Sequence, residues 1–341
     1  MINNIEIKGF RGIQSCWIDN LSRVNLFFGK NNCGKSSLLE ALFLVCGQSN
    51  PLLPYRINLM RTYEKVSEND ISYFFYKLDT SNPIKLSIKG SHERELTITS
   101  FRDELPIMNA NSSSTQASYE YGLRMSYKTV DGEFMSEIRY DLSNSNIVNS
   151  KSFIDNKYVE SLRCVYLSPR YDSSASVEGL KNIYLNKDEA FLSDALRILE
   201  PDAKDPIFME NVMLVDAGLS ARIPINLMGD GIRKIVSFLT SIYACKDGVL
   251  LIDELSNGFH YSVMKPMWEI VFKAAERNNV QIFATTHDID SIRGFKEAAK
   301  NTNTDYASAF KLHKMENGEL RNYHYSFDQL DNAIQQEIEI R

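Results

Sequence analysis

The alternation of apolar and polar residues predicts three strands at the start of the chain. The segments "INNIEIKGF" and "IQSCWI" alternate residue by residue, and residues 23–28 form an apolar run that is typical of a buried strand. Residues 35–46, "KSSLLEALFLVC", are apolar nearly all round, which favours a buried helix. We expect the strands before this helix to run antiparallel, so that the sheet is mixed rather than purely parallel.

The middle of the chain, from residue 50 to about residue 160, predicts successive strands with hairpin turns. The segments with this pattern are "DISYFFYKL", "IKLSIKG", "ELTITSF", "YGLRMSYKTV" and "GEFMSEIRYDL". Asp131-Gly132, a favoured hairpin dipeptide, joins the last two. The polar segment 109–118, "NANSSSTQAS", predicts a loop within this region.

The second half predicts helices and strands in alternation, which indicates one large α/β domain. Residues 186–200 predict an amphipathic helix that ends before Pro201, and Asn317-Gly318 predicts a last hairpin. Between them we expect a strand near 213–217, a helix at 231–245, a strand at 249–253, a helix at 263–277 and a strand at 280–285. The sequence contains no internal repeat and no sustained heptad pattern.

Residues 29–36, "GKNNCGKS", match the spacing G-x-x-x-x-G-K-[ST] of a phosphate-binding loop. In such loops glycines let backbone N–H groups surround the β-phosphate, the lysine reaches the β- and γ-phosphates, and the serine hydroxyl ligates Mg²⁺. A predicted strand before the loop and a helix after it argue against a chance Gly/Ser turn. The residues expected to bind the nucleotide are Gly29, Asn31, Asn32, Cys33 (through its backbone N–H), Gly34, Lys35, Ser36 and Ser37, with Ser36 also a metal ligand.

A second apolar strand, in "GVLLIDEL" (248–255), ends in two adjacent carboxylates. The carboxyl ends of strands mark the edge at which an open α/β sheet binds its ligands. We therefore expect Asp253 to hold Mg²⁺ and Glu254 to polarise the attacking water as the catalytic base. The alternative is a strand that ends in a solvated acidic turn.

The segment "VQIFATTHDID" (280–290) predicts another buried strand, which ends in "TTHD". At the tip of the strand beside the Asp-Glu strand, His287 can hydrogen-bond the γ-phosphate and act as a second catalytic residue. The alternative is a capping histidine with no ligand role.

Composition and charge narrow the class of protein further. The chain has 341 residues and a formal net charge of −6, so bulk charge does not indicate nucleic acid, although a local basic stripe could bind it. Five scattered cysteines without C-x-x-C spacing are typical of a reducing cytoplasm and not of a zinc site. The sequence has no signal-peptide pattern and no apolar stretch of membrane-spanning length, so we expect a cytoplasmic protein without membrane contact.

The motifs taken together resemble a known class of ATPase heads. "IEIKGFRGIQS", "GKNNCGKSSLLEAL", "DELSNGFHY" and "ATTHD", in this order, resemble the ABC-type heads of SMC proteins, RecF and the OLD-like ATPases. The nearest resemblance is to OLD-like ATPases of the AAA_15/AAA_21 type, many of which act in bacterial anti-phage defence. It implies an α/β P-loop NTPase fold of ABC/SMC/RecF head type, with a mixed central β-sheet flanked by helices, an antiparallel β lobe and an inserted middle region.

The resemblance also implies how the domain is divided. A single ABC-type ATPase domain would span residues 1–341, with its core motifs in 1–48 and 222–295. Residues 50–221 would be an insert, β-rich and then helical. Residues 300–341 would form a C-terminal hairpin and tail.

ABC-type heads have a signature loop that contacts the γ-phosphate of the nucleotide bound by the opposite subunit. "INLMGDGIRKIVSF" (225–238) stands at the corresponding place, which implies the trans residues Met228, Gly229, Asp230 and Gly231. The family pattern has a serine in place of Met228 and a glycine in place of Asp230, so the usual hydroxyl contact is missing here. The alternative is an ordinary helix N-terminus capped by Asp230.

Two further family positions match less well. Arg11, in "GFRG", would lie near the phosphate or base of the nucleotide, or else be a solvated turn arginine. The segment "VYLSPRYDS" (165–173) stands where the Q-loop is expected, but it carries no glutamine.

The resemblance implies an enzyme that uses ATP and Mg²⁺ and hydrolyses ATP to ADP and phosphate. It would be a homodimer around two nucleotides, alone or in a larger assembly, and would switch a separate effector such as a nuclease or toxin. Roughly fifty residues follow Asp288, fewer than the Toprim nuclease domain of OLD proteins needs. The alternatives are a RecF- or SMC-like DNA repair or recombination ATPase and a nucleotide-binding scaffold with negligible turnover.

Overall fold

The computed structural model describes residues 1–62, 69–108, 115–141, 149–169, 176–209, 212–300 and 306–335. Its strands are β1 (Ile2–Phe10), β2 (Ile13–Ile18), β3 (Val24–Phe28), β4 (Ile84–Gly90), β5 (Arg94–Met108), β6 (Thr115–Thr129), β7 (Gly132–Asp141), β8 (Asn149–Ile154), β9 (Cys164–Leu167), β10 (Lys204–Met209), β11 (Val212–Asp216), β12 (Ile223–Pro224), β13 (Val249–Ile252), β14 (Gln281–Thr286), β15 (Ala307–Lys314) and β16 (Glu319–Tyr325). Its helices are α1 (Lys35–Cys46), α2 (Leu53–Thr62), α3 (Asn69–Ser72), α4 (Val177–Leu185), α5 (Glu189–Arg197), α6 (Asp230–Ala244), α7 (Met264–Arg277), α8 (Ile289–Ala299) and α9 (Phe327–Gln335). Within these described ranges no helix is long and apolar enough to cross a membrane.

One large mixed sheet organises the fold. In the described part of the chain its strand order is β8-β7-β6-β5-β4-β1-β2-β16-β15-β3-β14-β13-β9, and β10, β11 and β12 form a small antiparallel sheet. Strands β15, β3, β14, β13 and β9 run parallel, whereas β1, β2 and β4 to β8 pair antiparallel. The predicted α/β class with a mixed central sheet is confirmed.

The parallel core strands are buried on both faces because helices cover both. Every residue of β3, β13 and β14 is buried, as expected for strands with continuous apolar runs. Side chains of β3 alternate between two hydrophobic clusters: Phe27 packs on the side of α1, whereas Leu26 and Phe28 pack on the side of α6, α7 and α8. The ring of Phe27 also stacks on Phe310 of β15, with centroids 5.3 Å apart. This packing fixes β3, from which the phosphate-binding loop emerges.

Region 50–221 contributes to both parts of the sheet. Strand β4 pairs with β1, so β4 to β8 extend the N-terminal hairpin outward. Strand β9 pairs instead with β13 in parallel, with Tyr166 opposite Leu251. The region described as an insert therefore supplies one strand of the parallel core. Residues 109–114 of the predicted polar loop lie outside the described residues, and residues 115–118 belong to β6.

The predicted strand at 70–78 is wrong. The chain there forms α3 and a 3₁₀ turn at Tyr76–Leu78. Ile71, Phe74 and Phe75 are buried, and their spacing of i, i+3 and i+4 is helical. The aromatic content of this segment suggested a strand, but the spacing of its buried side chains favours a helical turn.

The amphipathic helix predicted at 186–200 is confirmed as the shorter helix α5, because the chain turns at residues 186–188 between α4 and α5. Lys187 has a φ of 58°, in the left-handed region that a continuous helix does not use. Asp188 is buried, accepts a hydrogen bond from the Tyr243 hydroxyl at 2.7 Å and contacts Arg277. The turn is therefore stabilised by a buried carboxylate whose partners lie on α6 and α7.

Gln281 at the start of β14 connects strands that are distant in sequence. Its side-chain oxygen accepts a hydrogen bond from Ile2 N–H at 2.6 Å, and its nitrogen donates to Ile2 O at 2.8 Å and Ser22 O at 2.9 Å. Gln281 is only 2% exposed, so these hydrogen bonds are shielded from water. The amide therefore holds the first strand against the parallel core.

We predict that Gln281→Leu lowers the free energy of unfolding by about 2–4 kcal/mol, because buried backbone groups of Ile2 and Ser22 lose their partners. Urea unfolding measures this loss. Gln14→Leu, at an exposed position of β2, is the matched control and should change stability by less than about 0.5 kcal/mol. Equal effects of the two substitutions would contradict this role of Gln281.

Candidate functional site

The phosphate-binding loop connects β3 to α1 and is shaped by residues with positive φ. Gly29 has a φ of 149° and Gly34 a φ of 110°, while Asn32 adopts a φ of 62°. A Cβ at Gly29 would lie 2.5 Å from the Leu312 carbonyl oxygen, so this position has no room for a side chain. Asn31 and Asn32 are exposed at the tip of the loop. The backbone thus makes the tight turn that a phosphate-binding loop needs.

Lys35 begins α1, and its side chain folds back into its own loop. Its Nζ donates to Gly29 O at 2.9 Å and to Lys30 O at 3.1 Å, and the residue is 5% exposed. The Cys33 thiol is buried beside it, and burial raises the pKa of this thiol above its usual value. The charged end of Lys35 therefore lies inside the loop, next to the helix N-terminus that favours an anion.

Ser36 faces a cleft of about 370 Å³ beside the loop, whereas Ser37 is half-buried next to it. The same cleft exposes Asp253 at the end of β13, Tyr166 on β9, and Glu40 and Arg61 from α1 and α2. A hydroxyl and a carboxylate, both oxygen donors, thus face one space, as a site for Mg²⁺ with a nucleotide requires. In the described part of the chain no three His, Cys, Asp or Glu side chains converge on a metal-sized site, but Mg²⁺ commonly takes one or two carboxylates together with substrate phosphates.

Thr285 on β14 orients both carboxylates that follow β13. Its hydroxyl donates to Asp253 Oδ1 at 2.6 Å and accepts from Glu254 N–H at 2.8 Å. Thr285 is fully buried and Asp253 is 7% exposed, so both bonds are shielded from water. Thr285 belongs to the motif "TTHD", but only the pairing of β13 with β14 shows that its hydroxyl binds Asp253 and Glu254.

Tyr166 contacts Asp253 from the other side. Its hydroxyl donates to Asp253 Oδ2 at 3.4 Å. Burial, and then the charge of Asp253, raises the pKa of this phenol well above its ordinary value, so the hydroxyl stays protonated and acts as a donor. Asp253 thus has a donor on each carboxylate oxygen, which orients the carboxylate toward the cleft. Sequence inspection does not assign Tyr166 a role.

Glu254 and His287 lie side by side at the carboxyl ends of β13 and β14. His287 Nδ1 contacts Glu254 Oε2, and Glu254 has a φ of 55°. A non-glycine residue in this left-handed region is strained by about 1–3 kcal/mol, and such strain concentrates at functional sites. The structure therefore brings together the two residues expected to be catalytic. Asp288, the next residue, caps α8 by accepting from Asp290 N–H and Ser291 N–H.

Arg11 packs on α1 rather than standing in solvent. Its Nε lies 2.6 Å from Glu40 Oε2, and its guanidinium lies 5.1 Å from the ring centroid of Phe74. Burial is the main cause of a lowered pKa for Arg11, opposed by Glu40. Arg61 Nε also donates to Glu40, at 2.6 Å. Arg11 therefore reaches the cleft only through Glu40, whereas Arg61 lines it directly, which the sequence did not indicate.

The proposed signature loop stands at the N-terminus of α6. Gly229 is the residue before the helix, and apart from its two chain neighbours no described residue has an atom within 4 Å of where its Cβ would be. A Cβ at Gly231 would lie 3.4 Å from Gly258 O of the same chain, so Gly231 faces inward. Asp230 does not cap the helix through its side chain but contacts Arg233. Met228 is partly buried against the hydrophobic cluster on the side of α6, α7 and α8.

The end of β9 occupies the place where a Q-loop would lie. Ser168 and Pro169 line the cleft that contains Ser36 and Asp253, while residues 170–173 lie outside the described residues. Within the described range, the side chains that β9 and its extension bring to the cleft are therefore Tyr166, Ser168 and Pro169.

A phosphate-binding loop after one parallel strand and a carboxylate pair after another define a P-loop ATPase head of the ABC, SMC and RecF type. The sequence profile of the AAA_21 family, described as "AAA domain, putative AbiEii toxin, Type IV TA system", matches residues 24–292. This match includes β3, the loop, β13 and β14. The chain belongs to the AAA_21 family.

Known proteins support the class along most of the chain. An ATP/GTP phosphatase of Helicobacter pylori (strain ATCC 700392 / 26695) is 23% identical over 344 residues, which covers 92% of this chain and 91% of that protein. The DNA replication and repair protein RecF of Shewanella frigidimarina (strain NCIMB 400) is 26% identical over 28% of this chain and 26% of its own length. An SMC head crystallised with the C-winged helix domain of ScpA has the same fold, with a TM-score of 0.53, 14% identity, and coverage of 96% of this chain and 98% of that one.

We predict that Thr285→Val raises the Mg²⁺ concentration needed for half-maximal nucleotide binding by roughly 10- to 100-fold, because Asp253 and Glu254 lose a shared partner. Thr285→Ser keeps the hydroxyl and is the matched control. Titration of Mg²⁺ against a fluorescent nucleotide at equilibrium measures the effect. An unchanged midpoint in the valine variant would show that this hydroxyl does not organise the site.

Proposed function

We propose that this chain binds ATP with Mg²⁺ and hydrolyses it to ADP and phosphate. The observation that carries the proposal is the convergence of Ser36 and Asp253 on one cleft, each of them adjacent in sequence to a further candidate residue, Lys35 and Glu254. The oxygen donors of Ser36 and Asp253 suit Mg²⁺. The ion would neutralise phosphate charge in this cleft. The name of the Helicobacter pylori relative, an ATP/GTP phosphatase, supports the same reaction class.

The residues of this chain divide the work between binding and hydrolysis. The backbone of residues 29–34 and the Lys35 ammonium bind the β- and γ-phosphates by charge and by N–H donors. Glu254 polarises the attacking water, and its contact with His287 holds the carboxylate at the edge of the sheet. His287, whose side chain is 45% exposed, would hydrogen-bond the γ-phosphate. A scaffold role with negligible turnover would not need this carboxylate and histidine together.

We further propose that nucleotide binding switches a homodimer that controls a separate effector protein. In this arrangement the loop at residues 228–231 of one subunit closes on the nucleotide of the other. The open surroundings of Gly229 and the 73% exposure of Leu227 leave this loop accessible to a second copy. The family description, "putative AbiEii toxin, Type IV TA system", is compatible with a role in defence, and the resemblance to OLD-like ATPases supports anti-phage defence with an effector that is a nuclease or another toxin.

A DNA repair or recombination ATPase is the second candidate. The similarity to RecF over about a quarter of the chain favours it, and the shared SMC-head fold is compatible with both roles. If DNA stimulates ATP turnover, and an effector protein encoded next to this chain does not change it, this candidate is favoured over the effector switch.

We predict that Glu254→Gln still binds Mg²⁺ and ATP but that its rate of ATP hydrolysis falls by about 100-fold or more, because an amide cannot act as a base. Equilibrium binding and single-turnover hydrolysis separate the two effects. Lys35→Ala is the matched control for binding, since it removes the cation of the phosphate site and should abolish affinity. Wild-type turnover in Glu254→Gln would move the catalytic base elsewhere.

We predict that Gly229→Arg reduces hydrolysis while leaving nucleotide affinity nearly unchanged, because the added side chain would block the partner and not its own fold. Mixing this variant with Lys35→Ala should restore part of the activity. Each mixed dimer has one site with both lesions and one site with neither. A lack of recovery, with mixed dimers shown to form by native mass spectrometry, would argue that no site is shared between subunits.

A further inference from the structure

The turn after β13 packs against the first turn of α6. We name residues 254–259 the Glu254 turn, because it begins with that carboxylate. Lys234 Nζ donates to the Asn257 carbonyl oxygen of this turn. Lys234 lies on α6, one helical turn beyond Asp230. A charged side chain of α6 is therefore bound to the backbone that carries the candidate catalytic base.

The two segments approach so closely that glycines lie between them. A Cβ at Gly231 would be 3.4 Å from Gly258 O, and a Cβ at Gly258 would be 3.4 Å from Lys234 Nζ. Gly258 also has a φ of 82°, which favours glycine. Beyond the glycines, the rings of Phe238 and Phe259 pack with centroids 6.0 Å apart. Movement of the helix start would therefore displace the turn.

At its other side the Glu254 turn is bonded to the tip of β14. Leu255 N–H donates to Thr285 O at 3.0 Å, and the hydroxyls of Ser256 and Thr286 lie 2.9 Å apart. Glu254 N–H donates to the Thr285 hydroxyl at 2.8 Å. The turn thus spans the space between the strand end that carries His287 and the helix that carries the loop at 228–231.

Burial makes the charge of Lys234 costly unless it has a partner. Burial lowers the pKa of Lys234, with Asp230 acting in the opposite direction. A partly desolvated ammonium is favourable only when it is hydrogen-bonded, and the Asn257 carbonyl oxygen of the turn supplies that bond.

We propose that Lys234 is a positioning residue that ties Glu254 in one subunit's site to the loop with which that subunit closes its partner's site. The proposal rests on the proposed function. When the partner's nucleotide engages residues 228–231, the helix start is fixed, and the tie fixes the Glu254 turn in the same subunit. Occupancy of one site then organises the catalytic base of the other.

The test compares Lys234→Met with Lys234→Arg and with Lys246→Met, a matched lysine at an exposed position just after α6. Hydrogen–deuterium exchange of peptides covering 229–235 and 254–260 reports the tie directly and needs no nucleotide. In Lys234→Met we expect exchange of both segments to rise roughly tenfold, because a charge-assisted bond is lost. Lys234→Arg should restore protection, and Lys246→Met should leave it unchanged.

Kinetics test the coupling itself. Lys234→Met should keep nucleotide affinity within about twofold and lower turnover roughly 10- to 100-fold, the effect of a small displacement of a catalytic group. It should also abolish cooperativity in ATP, whereas Lys234→Arg should retain it. Wild-type turnover, cooperativity and exchange in Lys234→Met would overturn the inference and leave the proposed function intact. If the wild-type protein does not turn over ATP, and mixed dimers of Gly229→Arg and Lys35→Ala show no activity, the proposed function is overturned and the coupling with it.

Discussion

The parallel pairing of β3, β14 and β13 is the constraint on which the candidate site depends. Thr286 lies opposite Phe28 and Ala284 lies opposite both Leu26 and Ile252, so the three strands end at one edge of the sheet. Loops leave a buried parallel sheet at this edge. The phosphate-binding loop, the carboxylate pair and His287 therefore lie close together although they are far apart in sequence. The apolar runs that keep the strands buried are therefore also what assembles the polar groups.

Buried polar side chains give this edge its order. Thr285 and Tyr166 occupy both oxygens of Asp253, and Gln281 joins β14 to the N-terminal strand. Each of these groups would be costly to bury without a partner, so each bond is favourable only in one arrangement of the strands. This is how a hydrophobic sheet acquires a defined position for its carboxylates, and why a strained residue such as Glu254 can be held there.

The same reasoning connects the site to the rest of the molecule. Glu254 is bonded to β14 through Thr285, and the turn that follows it is bonded to α6 through Lys234. The loop at 228–231 and the carboxylate are thus parts of one packed unit, although more than twenty residues separate them. In a nucleotide-driven dimer such a unit would let two sites respond together, which suits a switch better than a simple hydrolase.

The sequence by itself determined the parts of the fold whose signal is local. Spacing predicted the loop at 29–36 and helix α1 at 35–46, and continuous apolar runs predicted β13 and β14, because burial of both faces demands them. The aromatic segment at 70–78 was misassigned, since the cluster around Phe74 and Phe75 takes its partners from distant elements. The helix predicted at 186–200 starts later than expected, because Asp188 forms a turn before it with partners on α6 and α7. Thr285, Tyr166, Arg61 and Lys234 could be placed only by tertiary structure, because their roles follow from which strands and helices are neighbours, and no periodicity encodes that.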